Sequence, residues 1–447
     1  MYPSTGLATA LNYMREMSVK EGRVFHQYVP VVTDSTTIGE YGTPILDTQN
    51  LNVLNDFVGL LKKVVFTAVY DKTFNNPLEQ LEGERLPLGS FIENSYVNPA
   101  NNSEQMREFD INDFAGLLQR YESQVATEYF YINSDKQFCV TTTRSKIRDA
   151  FTSWSNLEQF ITAQINSLYN GCYIQRFIQT KGLVTSAFVG NNIQYKVVDD
   201  VTDEQTAKAL IREIRATYTK MRIPSTNYNA WNKVKGGRLA LKTWVDPEDV
   251  VILISADLEA LVDVEVLSQA FNMDKTTFLA KTIVVDDFNI YNDDGSVAVD
   301  GSAIKAMICD RAWFKIKTQE FSMDEFWNPN NKTFQFYLND TRMYNYSLFA
   351  SALVFATSAP TVDATAIEAE EDAVSVKANA KVVVPFELTP PNATTTVTAS
   401  SSAEGKATVA VKGKTVEITG VEAGDATITI SAGAGVTDTI AVTVTSA

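Results

Sequence analysis

The aromatic residues stop abruptly. The chain holds 24 Phe, 18 Tyr and 5 Trp, and only Phe386 lies beyond residue 363. The last arginine is Arg342, and the remaining stretch is rich in Ala, Thr and Val. A core built on large rings and a core built on small β-branched residues belong to different packing units, so the break marks a domain boundary. Thr357-Ser358-Ala359-Pro360 follows an apolar run with proline and small polar residues and places the boundary there. Residues 1–362 are read as one domain and residues 363–447 as a second.

The second domain reads as all-β. Ala373 to Val384 and Val409 to Ile418 alternate or cluster β-branched residues. Gly420 to Asp425 forms a turn, and Ala426–Ile430 and Thr439–Val444 are two more strands. Short strands at intervals of about ten residues predict a small sandwich. The motifs Val374-Ser375-Val376, Phe386 to Ala393 and Val416 to Ile428 resemble a bacterial Ig-like module of group 2, most specifically from Gly420 to Ile428. The tryptophan usual in mid-module is absent. Such modules are binding or spacing units and carry no chemistry.

The first domain mixes helices and strands without regular βαβ alternation, which is the α+β class. Ser4 to Lys20 has apolar residues at helical spacing, and Gly22 to Asp47 reads as an extended arm within an N-terminal segment 1–63. Val64–Leu78 and Leu86–Val97 are strand-like and flank a charged stretch, so residues 64–98 form a long hairpin. The alternative is two ordinary strands inside a larger sheet. Ile147, Phe151, Trp154, Leu157, Ile161, Ile165 and Leu168 make one apolar stripe, a long helix in region 144–182 that Gly171 interrupts and Gly182 caps. Thr202 and Gln205 form a capping-box pattern before a helix that Pro224 stops. Val250–Ser255 is a buried strand, Asp257–Asn272 is helical, Asp294-Gly295 is a hairpin turn, and Phe334–Ala356 is a long β segment.

Charge and motifs narrow the function. A net charge of −16 opposes a surface that holds phosphate backbones or an anionic membrane. Cys139, Cys172 and Cys309 are odd in number and form no C-x-x-C pair, which fits a reducing compartment. No signal-peptide pattern is read at the N-terminus, and the apolar run Ser347–Ala359 is too short to span a bilayer. His26 is the only histidine and has no partner for a metal or nucleophile pair. Asp257, Glu259, Asp263 and Glu265 do not share a helix face, and the loop from Asp286 to Asp300 breaks the calcium pattern at Ile290. Arg212, Arg215, Lys220 and Arg222 read as subunit contacts or solvated charge. No P-loop, HExxH, GxSxG or GxGxxG occurs. The expectation is a protein that is not an enzyme, with no catalytic, cofactor or metal residues.

Three blocks carry a second resemblance. Asn75-Asn76-Pro77-Leu78 with Leu86-Pro87-Leu88-Gly89 and Ile92-Glu93 is similar to the hairpin of major capsid proteins from small short-tailed, protein-primed phages. Ala150-Phe151, Ser153-Trp154, Asn156, Glu158, Phe160, Asn166 and Tyr169-Asn170 resemble their spine helix. Asp257 to Ala260, Asp263-Val264, Val266-Leu267 and Ala270 to Met273 resemble part of their axial lobe. The resemblance implies the Hong Kong 97 phage capsid fold, with N-arm, extended hairpin, spine helix and an axial lobe with returning strands mostly within 183–356. It implies pentamers and hexamers of this chain forming an icosahedral or prolate head around double-stranded DNA, without sequence-specific binding. Scaffolding protein and portal are implied partners, the host cytoplasm the place of assembly, and the virion the destination. The hairpin residues Glu82, Glu84, Arg85, Leu86, Pro87 and Leu88 are the implied intersubunit contacts, and the Ig-like module is a candidate for host-surface contact. The rival class is a bacterial surface or adhesin-type binding protein that uses the same module.

Overall fold

The computed structural model describes residues 5–33, 35–47, 51–68, 74–87, 89–100, 106, 120–235, 240–261, 282–433 and 435–446. The chain divides into two compact units. One holds Met1–Ile92, Phe130–Thr180 and Ile316–Tyr344; the other holds Glu93–Tyr129, Lys181–Lys315 and Asn345–Ala447.

The first unit is built on aromatic packing. Phe25, Tyr41, Phe57, Phe151 and Trp154 meet in one buried cluster, with Phe57 and Phe151 centroids 5.3 Å apart and Tyr41 and Trp154 5.6 Å apart. This cluster overrides the expected extended arm. Residues 22–47 contain the helices Phe25–Tyr28 and Ile38–Leu46, which pack on the chain's own core beside Thr5–Lys20 and Leu51–Ala68. Residues 64–68 close that last helix and are not a strand, and Ile92–Val97 pairs with Val125–Phe130, so among the described residues the long hairpin over 64–98 is not formed. Residues 69–73, part of its expected first arm, lie outside the described residues, and the strand on the other side begins only at Ile92. The periodicity of Val53, Leu54, Phe57, Val58 and Leu60 decides the helix, because these residues bury one face. Gly42 sits against the Phe151 ring, where a Cβ would lie 3.0 Å from the ring edge.

A three-stranded sheet completes this unit, in the order Phe314–Asn328, Thr333–Tyr346, Ser134–Thr143. Phe334, Phe336 and Leu338 alternate toward the core, with Phe336 opposite Val140 and Leu338 opposite Phe138. The helix Trp154–Val189 runs unbroken through Gly171 and Gly182, correcting the expected break and cap. It ends instead at Asn191, whose φ of 53° is left-handed. Asn192 N–H donates to Ala187 O at 2.7 Å and Asn191 N–H to Phe188 O at 2.9 Å, a Schellman closure with Asn in place of Gly.

The second unit contains a five-stranded mixed sheet in the order Gln194–Val197, Ala352–Ala356, Ile304–Asp310, Val250–Ser255, Thr282–Val285. The Glu204–Met221 helix packs Ala207, Leu210, Ile211, Ile214, Tyr218 and Met221 onto one face. Its N-cap is Asp203, with Thr206 closing the box, one residue beyond the expected Thr202 and Gln205. Of the expected helix Asp257–Asn272, Ala256–Leu261 is helical, and residues 262–272, with Asp263 and Glu265, lie outside the described residues.

Residues 366–445 form two four-stranded sheets around their own core. One runs Ala366–Ala369, Lys381–Thr389, Thr415–Gly420, Ala407–Lys412; the other Ala373–Lys377, Thr437–Thr445, Gly424–Ser431, Thr398–Ser401. Val384, Phe386, Val416, Ile418, Ile428, Ile430, Ile440 and Val442 fill the space between them. Gly420 is required by close approach, since a Cβ there would fall 2.6 Å from Lys377 O.

Candidate assembly surface

Within the first unit, the loop that carries the candidate contact residues lies along the edge strand Phe314–Asn328. Gly83 N–H donates to Ile316 O and Leu86 N–H to Thr318 O, each at 2.9 Å. Arg85 Nε donates to Gln319 O at 3.0 Å, and Gln319 Nε2 donates to Pro87 O at 3.0 Å. The loop thus satisfies part of an otherwise open sheet edge. Glu84, Arg85 and Pro87 are exposed, Leu86 is half-buried, and Leu88 lies outside the described residues.

Glu82 points the other way, into a buried chain of charges. Arg342 Nη2 donates to both Glu82 carboxylate oxygens at 2.8 and 3.0 Å, and Thr318 Oγ1 donates to Glu82 at 2.5 Å. Arg342 Nε donates to Asp340 at 3.0 Å, and Arg176 grips the same carboxylate at 2.7 and 3.1 Å. The Arg176 guanidinium also lies over the Phe321 ring, 4.6 Å from its centroid. Burial works against the Arg176 charge, but the hydrogen bonds and charge of Asp340 outweigh it and keep it protonated. Two carboxylates and two guanidiniums cancel, which is how buried charge is tolerated. Cys172 donates its thiol to Asp340 at 3.5 Å, and burial pushes its pKa up to about 12. It is held as a neutral thiol and is not a nucleophile.

The second unit presents a two-stranded ribbon, Ile92–Val97 with Val125–Phe130, counting Ile92 and Phe130 as its ends in the first. Tyr96 and Ala126 face inward onto Leu241 and Phe349, while Val97, Val125 and Tyr129 are exposed. Glu128 fixes the ribbon from beneath: it accepts from Ser347 Oγ at 2.8 Å, Leu348 N–H at 2.6 Å and Asn94 Nδ2 at 3.4 Å. Burial raises its pKa despite those bonds.

In the same unit, the C-terminal segment is pinned to the end of the long helix by amides. Asn191 Nδ2 donates to Asn392 O at 2.6 Å, and Asn392 Nδ2 donates to Gly190 O and, at 2.8 Å, to Asn192 Oδ1. A cavity of about 650 Å³ beside this clamp is lined by Asn232, Lys233, Glu387 and Lys414 among others. His26 Nδ1 lies 3.2 Å from Ser18 Oγ and serves the N-terminal packing. No helix among the described residues is long and apolar enough to cross a membrane.

The sequence reading placed the candidate residues on a projecting tip. It missed the Glu82–Arg342–Asp340–Arg176 chain, whose members come from three distant segments. The one available signal was Arg176 itself, four residues after Cys172 on a helix face that also carries Leu168 and Tyr169.

Comparison with known proteins places this architecture. The major capsid protein of Bacillus phage PZA is 26% identical over 355 residues, spanning 79% of this chain and 74% of that protein. That of Bacillus phage B103 is 28% identical over 344 residues, spanning 74% and 70%. In fold, the chain is similar to the capsid of Staphylococcus phage Andhra, with a TM-score of 0.51 at 16% identity over 64% of this chain and 86% of that one. A chain in the structure of the head fiber and inner core protein gp22 of native bacteriophage P68 aligns with a TM-score of 0.50 at 15% identity over 65% and 87%. None of these matches favours the adhesin reading. The profile of the Phi29-like phage major capsid proteins matches residues 11–356, and the chain belongs to that family: it is a structural protein of the phage virion.

Proposed function

We propose that copies of this chain close into pentamers and hexamers and tile an icosahedral or prolate head around double-stranded DNA. The observation that carries the reading is the family match over 11–356, which covers both the long helix and the five-stranded lobe. In the Hong Kong 97 arrangement the Trp154–Val189 helix serves as spine and the lobe lies toward the capsomer axis. Glu84, Arg85, Leu86 and Pro87 then meet a neighbouring copy, while Glu82 anchors them from within. Shell contacts of this kind are head-to-tail and close into rings. Many moderate contacts per copy act together. Scaffolding protein and portal assist in the host cytoplasm, and an acidic inner wall repels the packaged DNA.

Residues 363–447 act as an Ig-like group 2 module. Two four-stranded sheets with a core of their own support that reading. The module is accessory and faces the host surface. Electron microscopy of the chain expressed with its scaffold tests the whole: closed shells are expected, and persistent monomers under every assembly condition refute it. Deleting residues after Pro360 tests the module: heads still form, and loss of all heads refutes an accessory role.

A further inference from the structure

The Glu204–Met221 helix carries an unusual stripe for so acidic a chain. Lys208, Arg212, Arg215, Thr219 and Arg222 follow one another at steps of four, three, four and three, so they share one face. All are exposed, as is Lys220 beside them. Lys208 pairs with Glu204, but Arg212, Arg215, Lys220 and Arg222 have no salt-bridge partner among the described residues. Ile223, 62% exposed, lies at the end of the stripe.

The same unit holds a feature of opposite character. The small hairpin Ile290–Tyr291 with Val297–Val299 is exposed throughout 291–298. Asp293 and Asp294 stand at its tip, and Tyr291 and Val297 are 43% and 50% exposed. A lone two-stranded hairpin is marginal in water. Its base is fixed to the long helix: Lys181 Nζ binds Asp286 at 2.9 Å and Asp287 at 3.2 Å, and Thr185 Oγ1 donates to Phe288 O at 2.6 Å. The core beneath the cationic helix includes no described residue of that long helix. Among the described residues no ion pair joins Asp293 or Asp294 to the cationic helix within one copy, and the two charges are of opposite sign.

We propose that the acidic hairpin of one copy docks on the cationic helix of the next, Asp293 and Asp294 meeting Arg212 and Arg215 while Tyr291 and Val297 cover Ile223. The partner is a second copy of this chain. The contact is heterologous, so it propagates around a ring. It rests on the self-assembly reading and specifies which surfaces meet. Electrostatic matching of this kind sets partner choice and register.

Charge reversal tests it. The variants R212E/R215E and D293K/V297K alter only exposed side chains, and circular dichroism checks that each is folded. Each alone is expected to weaken association at least about tenfold at near-physiological salt, read by sedimentation and by the yield of shells. Combining all four changes in one chain restores association and shells, and mixing the two variants restores association between unlike chains, which alternate around even-numbered rings. Normal shells from either reversed variant overturn the pairing and leave self-assembly standing. Shells that form normally but hold less DNA overturn it in favour of a nucleic-acid role for the stripe. Failure of the mixture and of the fourfold variant to recover also overturns it. A wild-type chain that stays monomeric with its scaffold overturns both readings.

Discussion

Arg342→Met removes the guanidinium fork and keeps most of the aliphatic volume. The Arg342 and Asp340 side chains are only 4% and 6% exposed, so the loss occurs where water cannot compensate. Breaking a buried ion pair from one side costs about 3–5 kcal/mol. Two features put this case at the lower end, near about 3 kcal/mol. Asp340 keeps both bonds from Arg176, and Glu82, at 21% exposure, keeps Thr318 and some contact with water. Asp340→Ala strips both guanidiniums of their shared carboxylate and belongs near about 5 kcal/mol. Glu82→Gln is the mildest, and its coupling to Arg342 in a double-mutant cycle is expected at about 1–2 kcal/mol. Urea unfolding of the unassembled protein, followed by near-ultraviolet circular dichroism, measures all three. An Arg342→Met loss below about 1 kcal/mol, or an Asp340→Ala no worse than Glu82→Gln, refutes the claim that this chain of charges pins the loop.

Three further outcomes follow from the second unit. Burial raises the pKa of Glu128, so between its ordinary and its raised value the folded chain binds more protons than the unfolded one; stability falls as pH rises through that window and recovers on mild acidification. Thermal melts across the window should show this slope in the wild type and a flatter one in Glu128→Gln. Lys233 is shifted the other way, from 10.5 to about 8 by burial, so its contribution to stability rises with pH across that interval; Lys233→Met should remove that rise in melts from neutral to alkaline pH. Asn392→Ala removes two donated hydrogen bonds of the amide clamp and is expected to cost about 1–3 kcal/mol of docking, seen as faster proteolysis near residues 357–365.

Where one physical signal dominated locally, the sequence was readable. The tail strands alternate small β-branched and polar residues with period two, and Val416, Ile418, Ile428, Ile430, Ile440 and Val442 are buried as that alternation requires. The apolar stripe from Ile147 to Leu168 is likewise buried at Ile147, Phe151, Trp154, Leu157 and Leu168, but the structure divides it: Ile147 lies on a separate short helix, Arg144–Ala150, Phe151 lies in the turn after it, and the long helix begins only at Trp154. The failures share a cause. In residues 38–46, Gly39, Gly42 and Pro44 argue against a helix by local propensity, yet Tyr41 and Ile45 are fully buried and tertiary packing wins. In residues 64–68, β-branched residues mimic a strand, but they only continue a helix whose face was set by Val53 to Leu60. Glycine misled twice more in the long helix. Gly171 and Gly182 have ordinary helical conformations with Phe138 and Ile290 at 3.5 and 3.6 Å from their virtual Cβ positions, so neither marks a break. Of the candidate contact residues, the sequence could mark the charged loop but not which way each side chain turns. That depends on Arg342, 260 residues away from Glu82.

The two anchors differ in kind, and the difference bears on how the molecule tolerates change. The loop of the first unit is held by buried charges, where losing either central member, Arg342 or Asp340, leaves another ion without its charged partner. Such a device is costliest to disturb at Arg342 and Asp340, whose loss strands Glu82 or Arg176, and it ties the loop to the integrity of its own core. The C-terminal segment of the second unit is held through Asn191, Asn192 and Asn392, neutral amides whose loss costs a hydrogen bond or two and strands no charge. Among the described residues its hydrophobic core draws on 364–444 alone. A segment that brings its own core and docks through a few neutral bonds can be gained, lost or exchanged without reopening the fold beneath it. The loop cannot. Variation between related shells is accordingly expected to concentrate in the former and to spare the residues that neutralise Asp340.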